Sequence, residues 1–176
     1  MAVRVAKGLY ALPDRKLLLE IMDDIELGRH EIYYIGGDNG LGKTSFLEQV
    51  LVPALQQDRV SYLYLGQDLG LQLYTLRASL AVSGVGLAHV DDAHLISLWI
   101  AHGHGAQAFL LDEFDKYYAD YRFVFAESAG FIESYVMVSH ACRFQAPAEF
   151  ASYQVAFELI GHDGDTKHVR VHTTRR

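Results

Sequence analysis

The sequence predicts a single α/β domain over residues 1–176, with a mainly parallel sheet flanked by helices. Three observations predict it. Apolar β-rich runs alternate with stretches of helical periodicity, a glycine-rich segment joins one such strand to the helix after it, and 176 residues suit one core rather than two. Hydrophobic residues make up 51% and charged residues 21%, which excludes intrinsic disorder. The net charge of −7 argues against a broad electrostatic grip on nucleic acid. Arg170, Arg175 and Arg176 leave room for a small basic patch. One cysteine, Cys142, cannot make an internal disulfide and suits a reducing compartment. The start, Met1-Ala2-Val3-Arg4-Val5, carries no apolar targeting stretch, and no apolar run is long enough to span a bilayer. The expected location is cytoplasmic.

Val3–Ala6 and the stretch from Leu17 to Leu27 read as short strands, a β-rich N-terminal portion that turns at Gly28. Glu31–Ile35 is rich in β-favouring Ile and Tyr and runs into the glycine cluster. From Lys43 a helix is expected, because Phe46, Leu47, Val50 and Leu51 fall on one face, and Pro53 should end or kink it. Val60–Leu65 reads as a strand, and helical periodicity returns over Leu71–Ala81 and Asp91–Ala101. Ala108–Leu111 and Tyr135–Ser139 read as short buried strands separated by a helix. In the C-terminal region Tyr153, Val155, Phe157 and Leu159 alternate with Gln154, Ala156 and Glu158. Asp163-Gly164 supplies a turn, and Val169 and Val171 alternate with His168, Arg170 and His172. This is a β-hairpin, expected to add antiparallel strands at one edge of the sheet as scaffold.

Gly37-Asp38-Asn39-Gly40-Leu41-Gly42-Lys43-Thr44 is a full match to G-x-x-x-x-G-K-[ST], placed between a strand and a helix. Glycines let backbone N–H groups turn inward around phosphate oxygens, and the helix N-terminus adds the positive end of its dipole. Lys43 would neutralise the β- and γ-phosphates of ATP, the Thr44 hydroxyl would ligate Mg²⁺, and Ser45 closes the binding segment. The run Phe109-Leu110-Leu111-Asp112-Glu113 is an apolar strand ending in two carboxylates. Asp112 would hold Mg²⁺ from the side opposite Thr44, and Glu113 would act as general base on the attacking water. The plainer reading of such a pair is a cap on the next helix.

With two further segments, these motifs make the chain resemble the ATP-binding-cassette (ABC) ATPases, including their non-transporter relatives in DNA repair. Tyr62-Leu63-Tyr64-Leu65-Gly66-Gln67-Asp68-Leu69 looks like that family's Q-loop, and Tyr74–Leu80 continues the likeness. Val136-Met137-Val138-Ser139-His140 looks like its switch-histidine strand. The order Lys43, Gln67, Asp112, Glu113, His140 is the family's order. The resemblance implies a phosphate-loop fold of ABC type. It implies that Gln67 reaches the metal or the attacking water, and that His140 contacts the γ-phosphate. The strand before His140 should then lie between the strand of the loop and that of Asp112. Tyr10 sits upstream, where the family often places an aromatic that stacks on adenine.

The departures matter as much. Where the family's signature segment (Leu-Ser-Gly-Gly-Gln or close to it) should stand, the chain reads Leu87-Ala88-His89-Val90-Asp91-Asp92-Ala93-His94. The interval from Lys43 to Asp112 is short, so the helical subdomain should be missing or reduced to one or two helices. Phe114, Tyr117, Tyr118, Tyr121 and Phe125 recur at helical spacing, and core packing is the first reading, a partner interface the second. His102-Gly103-His104 and the hairpin histidines lack the accompanying ligands of a metal site and read as solvent-facing. The expected function is an ATP- and Mg²⁺-dependent ATPase or switch acting on a protein partner or dimer, slow when alone. Two alternatives are a small-molecule kinase and a module that binds nucleotide without turnover.

Overall fold

The computed structural model describes residues 2–66, 69–102, 105–112, 128, 130–138 and 148–176. The expectations for Gln67, Glu113, His140, Cys142 and the aromatic run 114–125 fall outside these residues.

Ten strands and four α-helices follow in the order β1 (Val3–Val5), β2 (Gly8–Leu12), β3 (Leu17–Ile21), β4 (Ile25–Leu27), β5 (Glu31–Gly36), α1 (Lys43–Phe46), α2 (Val52–Gln57), β6 (Tyr62–Leu65), α3 (Leu69–Val82), α4 (Asp92–His102), β7 (Ala108–Asp112), β8 (Ser134–Val138), β9 (Ala151–Asp163) and β10 (Thr166–Arg175) among the described residues. Eight strands form one sheet in the order β2-β3-β10-β9-β5-β8-β7-β6, and β1 pairs with β4 beside it. From β9 to β6 every neighbouring pair is parallel. The strand β8 lies between β5 and β7, the order that the resemblance implies.

Strand alternation sorts the side chains onto two cores. On β5, Tyr33 and Ile35 face one core while Ile32 and Tyr34 face the other. The same split holds for Ala108 and Leu110 against Phe109 and Leu111 on β7, and for Val136 and Val138 against Tyr135 and Met137 on β8. The first core takes Phe46, Leu47, Val50, Leu51 and Leu55 from the helix after the glycine loop. The second takes Leu76, Leu80, Leu95, Ile96 and Ile100 from α3 and α4. Both faces of β5, β7 and β8 are therefore covered, as a parallel sheet requires.

The helix after the loop continues through Pro53 instead of ending there. Between α1 and α2 lies a π-helical turn, Leu47–Leu51, in which the Val52 N–H reaches back to the Leu47 carbonyl. A regular turn would set the Pro53 ring against the Gln49 carbonyl; the wider turn relieves that contact and keeps one helix running.

The hairpin is not at an edge. The long β9 pairs in parallel with β5 over its first half and antiparallel with β10 over nearly its whole length, and β10 pairs in parallel with β3. Both outer sides of the hairpin are thus used, and the edge falls to β2, antiparallel to β3 and unforeseen in the sequence. Alternation reports which face of a strand is buried but is silent on which neighbour takes its backbone hydrogen bonds.

Between β6 and β7 the described residues hold the helices α3 and α4. Residues 87–91 form the turn before α4, where the Asp91 carboxylate accepts from the His94 N–H at 2.8 Å, as a helix cap.

Candidate functional site

The segment from Gly37 leaves β5 at its C-terminal end, where a parallel sheet opens a crevice. Gly37 has φ +133, and a Cβ there would stand 2.6 Å from the Phe157 carbonyl oxygen on β9. Gly42, at φ +87, would drive a Cβ into Leu17 of β3. A side chain at Gly37 would press on the backbone of β9 and one at Gly42 on the Leu17 side chain, each at a left-handed φ, so the loop is built against the sheet rather than hung from it. Leu41 turns inward to the first core, and Lys43, only 6% exposed, starts the helix. Its ammonium donates to the Gly37 and Asp38 carbonyls, both at 2.7 Å.

Asp112 arrives from β7, two strands away from β5. Ala108, Leu110 and Asp112 share a face by strand period, so the last residue of β7 points toward the helix that begins at Lys43. The Thr44 hydroxyl donates to the Asp112 carboxylate at 2.7 Å, across 68 positions of sequence. Asp112 is 2% exposed. Tyr64 of β6 stands close by, its hydroxyl 3.5 Å from a Glu48 oxygen. Burial, with the Asp112 and Glu48 carboxylates near it, raises its pKa far above the usual phenol value, so it stays a proton donor.

A cavity of about 390 Å³ opens here. Asn39, Gly40, Gly42, Lys43, Thr44, Ser45 and Asp112 line it, so the structure brings most of the loop and the Asp112 of the second motif to one place. Tyr10 is not among the lining residues. It lies on β2, packs against the first core and donates its hydroxyl to the Ala6 carbonyl at 2.7 Å. The lining also includes Arg15, Lys16, Asp165 and Lys167, which sequence reasoning missed. They sit in or next to two hairpin turns whose local sequence is ordinary, and the β3–β10 register places them over the loop.

A solved structure shares the fold. A chain in a model of ribosome-bound archaeal Pelota and ABCE1 matches with a TM-score of 0.51 and 19% identity, covering 99% of this chain. The fold, a mixed α/β domain with a largely parallel sheet flanked by helices, is shared with that chain. This chain spans 34% of the length of that one. A KaiC-like protein of the archaeon Pyrococcus horikoshii OT3 also matches, at a TM-score of 0.45 and 9% identity, over 84% of this chain and 80% of that one. No protein-family model and no curated protein matches the sequence. Among the described residues no helix is long and apolar enough to cross a membrane.

Glycine turns running into a helix N-terminus present backbone N–H groups suited to an anion, and here Lys43 stands at that helix start. The donor set beside them suits a hard divalent cation, since Thr44 and Asp112 offer two oxygens held together at a buried point. Among the described residues no group of three or more His, Cys, Asp and Glu could hold a metal. A cation with two protein ligands and a shell completed by phosphate and water is the habit of Mg²⁺.

Proposed function

We propose that the chain binds ATP with Mg²⁺ and hydrolyses it, as an ABC-like ATPase or switch that drives a partner protein. The observation that carries this reading is the meeting of Thr44 and Asp112, far apart in sequence, at the mouth of the glycine loop. Lys43 and the loop amides would hold the phosphate charge, and Thr44 and Asp112 would hold Mg²⁺, which when bound offsets negative charge on the phosphates. Glu113, next after Asp112, would take the proton of the attacking water. The resemblance assigns Gln67 and His140 to contacts with the water, the metal and the γ-phosphate, and Tyr10 to the adenine.

The test is release of inorganic phosphate from ATP. Release from ATP alone supports an ATPase; release or transfer only with an added acceptor would move the chain to the kinases, and neither to the binding modules. Because no signature segment is recognisable for a second copy to donate, turnover of the purified chain should fall well below the ~10 s⁻¹ median of enzymes. A partner, or a dimer formed through another surface such as the Tyr117–Tyr121 segment, should raise it. The rate per chain across a concentration series, with mass followed by light scattering, reads this directly. Rapid turnover by a strict monomer would show that the missing segment is not needed.

A further inference from the structure

Two hairpin tips outside any recognised motif close over the loop. The β2–β3 tip brings Arg15 and Lys16, and the β9–β10 tip brings Asp165 and Lys167. They are neighbours because β3 and β10 run parallel with Lys167 opposite Leu17, and the Lys167 N–H donates to the Lys16 carbonyl at 2.9 Å. The Lys167 ammonium donates to the Gly40 carbonyl at 3.0 Å, inside the loop itself. The Lys16 ammonium donates to the Asp165 carboxylate at 2.8 Å. Arg15 stands 3.7 Å from Glu48, on the helix that follows the loop. With Lys43, the cavity is lined by four basic side chains against two acidic ones, in a chain whose net charge is −7. Such a local reversal of sign concentrates anions where the rest of the surface repels them.

We propose that the two tips form a phosphate clamp within one chain: Lys16 and Lys167 hold outer phosphate oxygens of a bound nucleoside triphosphate, and Asp165 sets the affinity by competing for Lys16. The proposal rests on the reading of the loop as an ATP site and extends it. Positive charge that the resemblance would seek in a second subunit is here supplied by the same chain. The exchange of partners is cheap. The Lys16 and Asp165 side chains are 64% and 83% exposed, so their pair is solvated and weak. A phosphate oxygen beside Lys43 offers a charge-assisted contact in a more enclosed place. An anion entering the cavity takes Lys16 and leaves Asp165 to water.

The experiment is calorimetric titration of the full chain with Mg·ATP and, separately, with inorganic tripolyphosphate. Lys16→Gln and Lys167→Gln should each weaken both ligands by about threefold to tenfold. Lys167→Arg, which keeps the charge, should bind as the parent does. Asp165→Asn should strengthen both ligands by about twofold to fivefold, because it releases Lys16. In the double variant Lys16→Gln/Asp165→Asn that gain should vanish. If the pair merely braces the two tips, Asp165→Asn will lose affinity or leave it unchanged, and either result overturns the clamp. A loss confined to ATP, with tripolyphosphate unaffected, overturns it too, since the clamp acts on phosphate. Lys43→Ala separates this from the reading beneath it. Loss of binding in Lys43→Ala with parental binding in the tip variants removes the clamp alone, whereas parental binding in Lys43→Ala removes the ATP site itself.

Discussion

Replacing Glu113 by Gln should leave ATP bound and reduce hydrolysis by roughly a hundredfold or more. The substitution keeps the side chain's size and its capacity to hydrogen-bond a water, and removes only the ability to accept a proton. The position follows from Asp112. Strand β7 runs to Asp112, whose carboxylate meets Thr44, and Glu113 is the next residue in the sequence. Affinity by calorimetry and single-turnover phosphate release read the two halves of the expectation independently. Equal turnover by mutant and parent would assign the base elsewhere, His140 being the first alternative. Loss of binding along with turnover would make Glu113 part of the nucleotide's seat rather than of the chemistry.

Lys43→Ala should cost ATP affinity about tenfold to a hundredfold, the equivalent of roughly 1.5–3 kcal/mol for a charge-assisted contact. The structure adds a second reason to expect a large effect. The ammonium spans the loop by donating to the Gly37 and Asp38 carbonyls, so its removal strips the loop of an internal brace as well as a charge. Two losses on one side chain can be told apart. Lys43→Met keeps the apolar stem and deletes the charge, and a melting temperature equal to the parent's, with affinity still lost, would assign the effect to phosphate. Unchanged affinity in both variants would sink the ATP reading.

What was legible in the sequence is what local rules write. The loop is readable because only a particular spacing of glycines permits a left-handed turn at Gly42 pressed against Leu17. Asp112 is readable because an apolar strand ending in a carboxylate puts that group at the end of a sheet. The covered strands β5, β7 and β8 are readable as short apolar runs. The place of the hairpin was not, because the alternation along β9 describes its faces while its neighbours are chosen by the rest of the sheet. Lys16 and Lys167 were invisible for the same reason. One is a charged residue in a turn and the other a charged residue at the start of a strand, common settings for a lysine without a task. Their meeting is a consequence of strand register, which a single sequence does not display. The π-helical turn escaped as well, since Pro53 announces that a regular helix fails but not how the chain solves it.

The central place of β9 has a consequence for the order in which the molecule assembles. The strand that feeds the glycine loop, β5, pairs with β8 on one side and β9 on the other, both more than a hundred residues further on, β9 being the later. Closing so long a loop is entropically costly and comes late, so topologies that depend on it fold slowly. The N-terminal strands share that dependence, because β3 joins the large sheet only through β10. Until the last strands dock, β3 and β5 each present an open edge to solvent, the surface on which partly folded chains aggregate. Pulse-labelled hydrogen exchange during refolding should therefore show the amides of β5 that face β9 gaining protection together with those of β9. Their protection in an earlier phase would mean that the loop strand is held before its partner arrives.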